Sequence, residues 1–179
     1  MINTFFIGDT HFGHKNIMKF EPVHRPFKSV EEHDEVLIER WNSVVKSNDI
    51  VWHLGDVAFG QENLDKIGRC NGKKKLVMGN HDTFQIERYA KYFTHVYGAV
   101  VYKKFLLTHI PIVSTQFYRC KGNIHGHTHS NNMDDPRYIN VSCEQNNLTP
   151  INYEDLTDIF YNKMLNCESP DAKTTLRDY

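Results

Sequence analysis

Three short apolar, β-prone segments of this chain each stop at a glycine followed by a side chain that can bind metal. Residues 2–7 run into Gly8-Asp9, residues 49–54 into Gly55-Asp56, and Lys75-Leu-Val-Met78 into Gly79-Asn80-His81-Asp82. Such placement is what a site built outside the carboxyl ends of a sheet requires, with glycine letting the backbone turn sharply at each end. Helical patterns lie between these strands. Ser29 and Glu32 form a capping box ahead of Leu37, Trp41, Val44 and Val45, which predicts a helix over 30–46. A shorter helix is expected over 62–69, and a third over 83–93 with Ile86, Tyr89, Ala90 and Phe93 on one face. The first half therefore reads as alternating strand and helix, a layered α/β fold. Residues 99–107, 123–127 and 138–142 read as strands with short polar connections, which suggests a second, more strand-rich sheet. Asn152, with Asp155 three positions on, marks the start of a last helix.

A chain of 179 residues, 40% hydrophobic and 24% charged, has room for one domain, expected over 1–165, followed by a polar tail over 166–179 that is expected to be disordered. The formal net charge of -1 carries no signature of a protein that coats DNA or lies on a membrane surface. Long nucleic acid is accordingly not an expected partner. The first residues lack a basic region and read as a strand instead of a signal peptide, and no apolar run approaches a membrane span. Cys70, Cys120, Cys143 and Cys167 form no Cys-x-x-Cys pair, which argues against a zinc ribbon or a disulfide framework and fits a reducing cytoplasm.

The 11 histidines are the unusual component, because imidazole is the commonest transition-metal ligand. Asp9-x-His11 and His127-x-His129 each separate two candidate ligands by one residue, a spacing that in extended backbone sends both side chains to one side. Asp56, Asn80 and His109 sit at other strand ends. Together these are two carboxylates, one amide and four imidazoles, enough for two metals. Oxygen and nitrogen donors without thiolate suit two divalent ions, manganese foremost, with iron, nickel, cobalt or zinc also compatible, and disfavour calcium.

Gly8-Asp-Thr-His11, Gly55-Asp56, Gly79-Asn-His-Asp82, the lone His109 and Gly126-His-Thr-His129 resemble, in order, the five signature blocks of the calcineurin-like metallophosphoesterases. Residues 8–17, Arg25-Pro-Phe27 and Trp52-His-Leu-Gly-Asp56 are similar to a subgroup of compact bacterial and phage phosphoesterases. The resemblance implies a four-layer αββα sandwich with a dimetal site at the carboxyl ends of the strands. By position, Asp9, His11, Asp56 and His129 would hold one metal and Asp56, Asn80, His109 and His127 the other, with Asp56 shared. A hydroxide between the ions would attack phosphorus, His81 would stabilise the transition state or protonate the leaving oxygen, and Asp82 would orient His81.

Beyond these blocks, His14 and Arg25 are candidate substrate contacts, since arginine matches phosphate geometry and the subgroup resemblance includes both. His53 and His125, next to ligands in sequence, are expected to face away from the site as packing or supporting residues. Lys73-Lys-Lys75 reads as a solvated edge, and His33 and His95 as surface residues. The expected activity is hydrolysis of phosphodiester bonds in small nucleotide-type substrates, because the chain is short and carries no evident inserted cap. Phosphomonoester or nucleotide pyrophosphate hydrolysis at the same site, and a non-catalytic binding scaffold of the same fold, are the competing readings. Oligomeric state is not legible.

Overall fold

The computed structural model describes residues 1–167, so most of the expected tail lies outside the described residues. Among the described residues, nine strands form two sheets. The first sheet contains β1 (Thr4–Ile7), β2 (Ile50–His53), β3 (Lys73–Val77), β4 (Phe93–Tyr97) and β9 (Ile151–Asn152), in the order β4-β3-β2-β1-β9. Its first four strands are mutually parallel, and β9 runs antiparallel to β1. The second sheet, β5 (Val100–Tyr102), β6 (Phe105–Leu107), β7 (Gly122–His125) and β8 (Tyr138–Asn140), keeps sequence order and is parallel from β6 to β8.

Side chains alternate across each strand, so the first sheet feeds two cores. Phe5, Ile7 and Val51 pack with Leu37, Ile38 and Trp41 of the long helix α2 (Val30–Val44), which follows a one-turn helix α1 (Ile17–Phe20). Phe6, Trp52, Leu54 and Val77 face the second sheet and join Phe105, Leu107, Ile124 and Ile139. The last helix, α4 (Tyr153–Leu165), adds Leu156, Phe160 and Met164 to that second cluster. Two sheets flanked by helices is the sandwich expected from the sequence. Both expected caps form: Ser29 Oγ accepts from Glu32 N at 3.1 Å, and Asn152 Oδ1 accepts from Glu154 N at 2.8 Å.

Three local expectations are overturned, and one expected helix forms with a tighter geometry. The 83–93 segment is helical only over α3 (Ile86–Tyr89); its end, Phe-Thr-His-Val-Tyr, is β-branched and aromatic and pairs with β3 as β4. The 99–107 segment is a hairpin and not one strand, turning at Lys103 and Lys104, both with left-handed φ. Lysines 73–75 lie in an interior strand, where Lys74 is buried and donates from Nζ to Cys70 O (2.5 Å). The expected 62–69 helix is a 3-10 helix, Gln61–Arg69. Among the described residues no helix is long and apolar enough to cross a membrane.

Candidate metal centre

The carboxyl ends of β1, β2, β3 and β7 open onto one face, and two isolated bridges, Gly8 to Ser142 and Phe12 to Ala58, tie the segment after β1 to those after β8 and β2. The short spacing motifs converge there, although not through extended backbone. Asp9 (φ 57), His11 (φ 50), His127 (φ 68) and His129 (φ 51) all adopt left-handed conformations beyond the strand ends, as does Asp56 (φ 56). For residues with a Cβ this region is sparsely populated, and such strain gathers where the surroundings over-determine it. Two glycines make room: a Cβ at Gly79 would collide with Asp56 Oδ1, and one at Gly126 would stand 2.5 Å from Asp9 Oδ2.

Three groups of donor atoms result among the described residues, two of them on the expected ligands and a third, Glu21, His129 and Glu144, sharing His129 with the first. Asp9, His11 and His129 each bring a donor within 4.8 Å of the others, and so do Asp56, His109 and His127. Asp56 Oδ2 faces both groups, 3.8 Å from His11 Nε2 and 3.4 Å from His109 Nε2. Asn80 Oδ1 lies 3.0 Å from His109 Nε2, beside the second group. The chemistry of this donor set fits divalent cations. His11 is buried with neither ring nitrogen hydrogen-bonded, an arrangement that is costly unless something absent from the chain itself takes the lone pair. Burial pushes the Asp9 carboxyl up to about 6, against the opposing charges of His109 and His129. A carboxylate whose charged form is opposed by burial is one that a bound cation would stabilise.

A model of the family described as calcineurin-like phosphoesterase matches residues 2–176. The chain belongs to that family. Members are metal-dependent phosphoester hydrolases that typically carry a dinuclear metal site. Relatives of the calcineurin-like chain include the uncharacterized protein MJ1445 of Methanocaldococcus jannaschii, 35% identical over 165 residues, 86% of this chain and 89% of that protein. The gene 66 protein of Mycobacterium phage L5 is 36% identical over 166 residues, 73% of this chain and 79% of its own. Among solved structures, the protein of unknown function AQ665 from Aquifex aeolicus superposes with a TM-score of 0.70 at 30% identity, covering 89% of this chain and 100% of that one.

Within this calcineurin-like frame, two of the expected site residues are buried and bonded within the chain. Arg25, expected as a substrate contact, is 0% exposed. Its guanidinium donates from Nη2 to Asp9 O (2.6 Å), from Nη1 to Thr10 O (3.2 Å) and from Nε to Glu144 Oε1 (2.6 Å), with His33 Nε2 2.9 Å from Nη1. The arginine thus clamps the strained Asp9 loop from beneath. His33, expected at the surface, is buried as part of the same cluster. Asp82, expected to orient His81, instead accepts from the backbone N–H of Asp56 (2.8 Å), Val57 (3.0 Å) and Gly79 (2.8 Å). It fixes the two loops that carry Asp56 and Asn80.

Sequence reasoning missed Glu144. This buried carboxylate joins Arg25 to His129, whose Nδ1 is 3.1 Å from Glu144 Oε1. Burial alone would raise its pKa, but the hydrogen bond with His129 and the Arg25 charge outweigh that and hold it at about 2. Such a carboxylate fixes which ring nitrogen of a histidine faces the metal side. No spacing motif flags it, and Arg25, its ion-pair partner, lies 119 residues away in sequence. His53, by contrast, faces away from the donor groups as expected: its Nε2 is 2.9 Å from Thr10 Oγ1, between the two first-motif ligands in sequence. His14 reaches the margin of the site, stacked on Phe59 with ring centroids 3.9 Å apart. His81 is exposed there too, its backbone N–H donating to Asp56 Oδ1 at 2.9 Å.

Proposed function

We propose that the protein hydrolyses phosphodiester bonds in small nucleotide-type substrates with two divalent ions, manganese foremost. The supporting observation is the position of Asp56 Oδ2 between the two donor groups, since two cations in proximity need a shared anion to offset their repulsion. Asp9, His11, Asp56 and His129 would hold one ion and Asp56, Asn80, His109 and His127 the other. When bound, such a pair lowers the pKa of water and neutralises charge on phosphoryl oxygens.

The chain's own residues supply the rest. Arg25 and Asp82 hold the ligand loops in one arrangement before substrate arrives, so little reorganisation is left for the reaction. His81 stands at the mouth with its ring 6.1 Å from that of His11 and 4.9 Å from that of Phe59, where a ring N–H can be given to the departing oxygen. Because Arg25 is turned inward, no guanidinium from that segment meets the phosphoryl group. A diester carries one negative charge where a monoester carries nearly two, and so depends less on such a clamp.

The test uses metal-stripped protein with manganese added back, comparing bis(p-nitrophenyl) phosphate with p-nitrophenyl phosphate and including His81→Ala. Manganese-dependent turnover of the diester, at least tenfold faster than the monoester and lost in the variant, is the expected result. Faster turnover of the monoester would overturn the diester preference.

A further inference from the structure

Beside the donor groups lies a recess of about 310 Å³ whose outer wall is aromatic and apolar, built by His14, Ile17, Phe20 and Phe59. Its inner wall is His11, His81 and His129, so the recess opens directly onto the reaction centre. Phe20 ends the single turn of α1 and is 68% exposed, so its ring is open to a flat apolar partner entering the recess. Phe59 is held rigidly: its backbone N–H donates to Phe12 O at 2.9 Å, and its ring stacks on His14 with an interplanar angle of 11°. Glu21 sits at the lip. Its carboxylate takes a hydrogen bond from Ser130 Oγ on Oε1 (3.1 Å) and lies 3.3 Å from His24 Nδ1 through Oε2, and each oxygen keeps a second lone pair for a further N–H donor.

We infer that this recess receives the nucleobase of the substrate, stacked on the Phe20 and Phe59 walls with a base N–H directed to Glu21, while the phosphoryl group meets the metals and His81. The inference rests on the phosphoesterase reading above. A volume near the lower end of small-molecule sites, about 300 Å³, admits one base with its sugar and leaves no track for a longer strand. Aromatic stacking tolerates any base, so the recess confers a preference for nucleoside phosphates over sugar phosphates instead of a preference for one sequence. It also explains why a centre of charged and polar ligands is bordered on one side by an apolar wall.

Calorimetric titration of manganese-loaded protein with AMP, ribose 5-phosphate, phenyl phosphate and inorganic phosphate tests it without turnover. AMP is expected to bind at least about tenfold more tightly than ribose 5-phosphate. That ratio should collapse in Phe20→Ala, whose exposed position keeps folding out of the result, and in Phe59→Ala. Glu21→Gln should weaken AMP and leave phenyl phosphate unchanged. Equal affinity for AMP and ribose 5-phosphate, with inorganic phosphate still bound in a manganese-dependent way, overturns the base site alone. Phenyl phosphate matching AMP, with no response to Glu21→Gln, replaces it with a general aryl site. Loss of manganese-dependent phosphate binding in the unaltered protein would instead remove the phosphoesterase reading, and the base site with it.

Discussion

The two ends of the five-stranded sheet hold buried aspartates whose pKa values are displaced in opposite directions. At the amino end Asp49, just before β2, accepts from the backbone N–H of Asn3 (2.9 Å) and Lys46 (2.8 Å) and ties the starts of β1 and β2 together. Burial opposes its ionisation, but those hydrogen bonds outweigh burial and hold its pKa below the ordinary aspartate value. At the carboxyl end Asp9 also accepts from backbone, the N–H of His127 at 2.9 Å, yet burial wins and its pKa is pushed up. Asp49 uses its charge to close the amino end of the fold, whereas at the carboxyl end burial works against the charge of Asp9 beside an Asp56 that burial also opposes but His109 holds below the ordinary value. The backbone follows the same division: the candidate ligands adopt left-handed φ, while the strands beneath them are regular.

The sharpest way to break that contrast is Asp56→Ala. Turnover should fall by more than the 10²–10³-fold, on the order of 3–4 kcal/mol, that loss of one transition-state contact costs. Metal content, read by elemental analysis, should drop for both positions, and the metal-free melting temperature should change little. Retention of two tightly bound ions would show that Asp56 does not bridge. The converse cut is Phe160→Ala in the cluster between the sheets, where the ring meets Phe105 edge-on at 5.0 Å. Denaturant titration should show a loss of about 3–5 kcal/mol, with metal affinity of the folded fraction kept. If metal affinity fell in parallel, the two regions would not be separable.

Legibility divides along the same line. The ends of β1, β2 and β3, the Ser29 cap and the convergence of Asp9, His11, Asp56, His109, His127 and His129 could be read from the chain, because glycine, strand propensity and ligand chemistry are local signals. The mechanism of convergence was not legible: alternation along a strand predicted it, whereas left-handed backbone produces it. Strand β4 was hidden because Phe93 completes a helical apolar pattern begun at Ile86, and only pairing with β3 decides between the two. The β5–β6 turn was hidden because Lys103 and Lys104 replace the asparagine or glycine that usually announces left-handed φ. Arg25, Glu144 and Asp82 were misread or missed for one reason: their partners are up to 119 residues away in sequence, and a charged residue's partner cannot be named until the fold brings it near.

Glu144 lies where the two regimes meet, so Glu144→Gln sharpens the comparison. The amide retains an acceptor for Arg25 Nε but removes the negative charge between Arg25 and His129. Metal affinity should fall by about 10–100-fold, measured by competition with a chelator, and the melting temperature should drop because a buried guanidinium has lost its counter-charge. A drop in melting temperature with metal affinity unchanged would make Glu144 a folding residue only.

The smallest effect belongs to Asp49. Its folded pKa is depressed, so its contribution is fully present above the unfolded aspartate value of about 4 and disappears as pH falls through the lower folded value. Asp49→Asn should therefore cost about 1 kcal/mol near neutrality, a typical net hydrogen-bond contribution, and progressively less below pH 4, where the unaltered protein has itself been protonated. Urea titrations of the metal-free protein at pH 7 and at acid pH measure this difference directly. Convergence of the two stability curves at acid pH, with metal content at neutral pH unaffected, is expected if Asp49 acts only on the amino end of the sheet. A constant gap across pH would mean that the side chain matters through packing and not through charge, and the contrast with Asp9 would then rest on geometry alone.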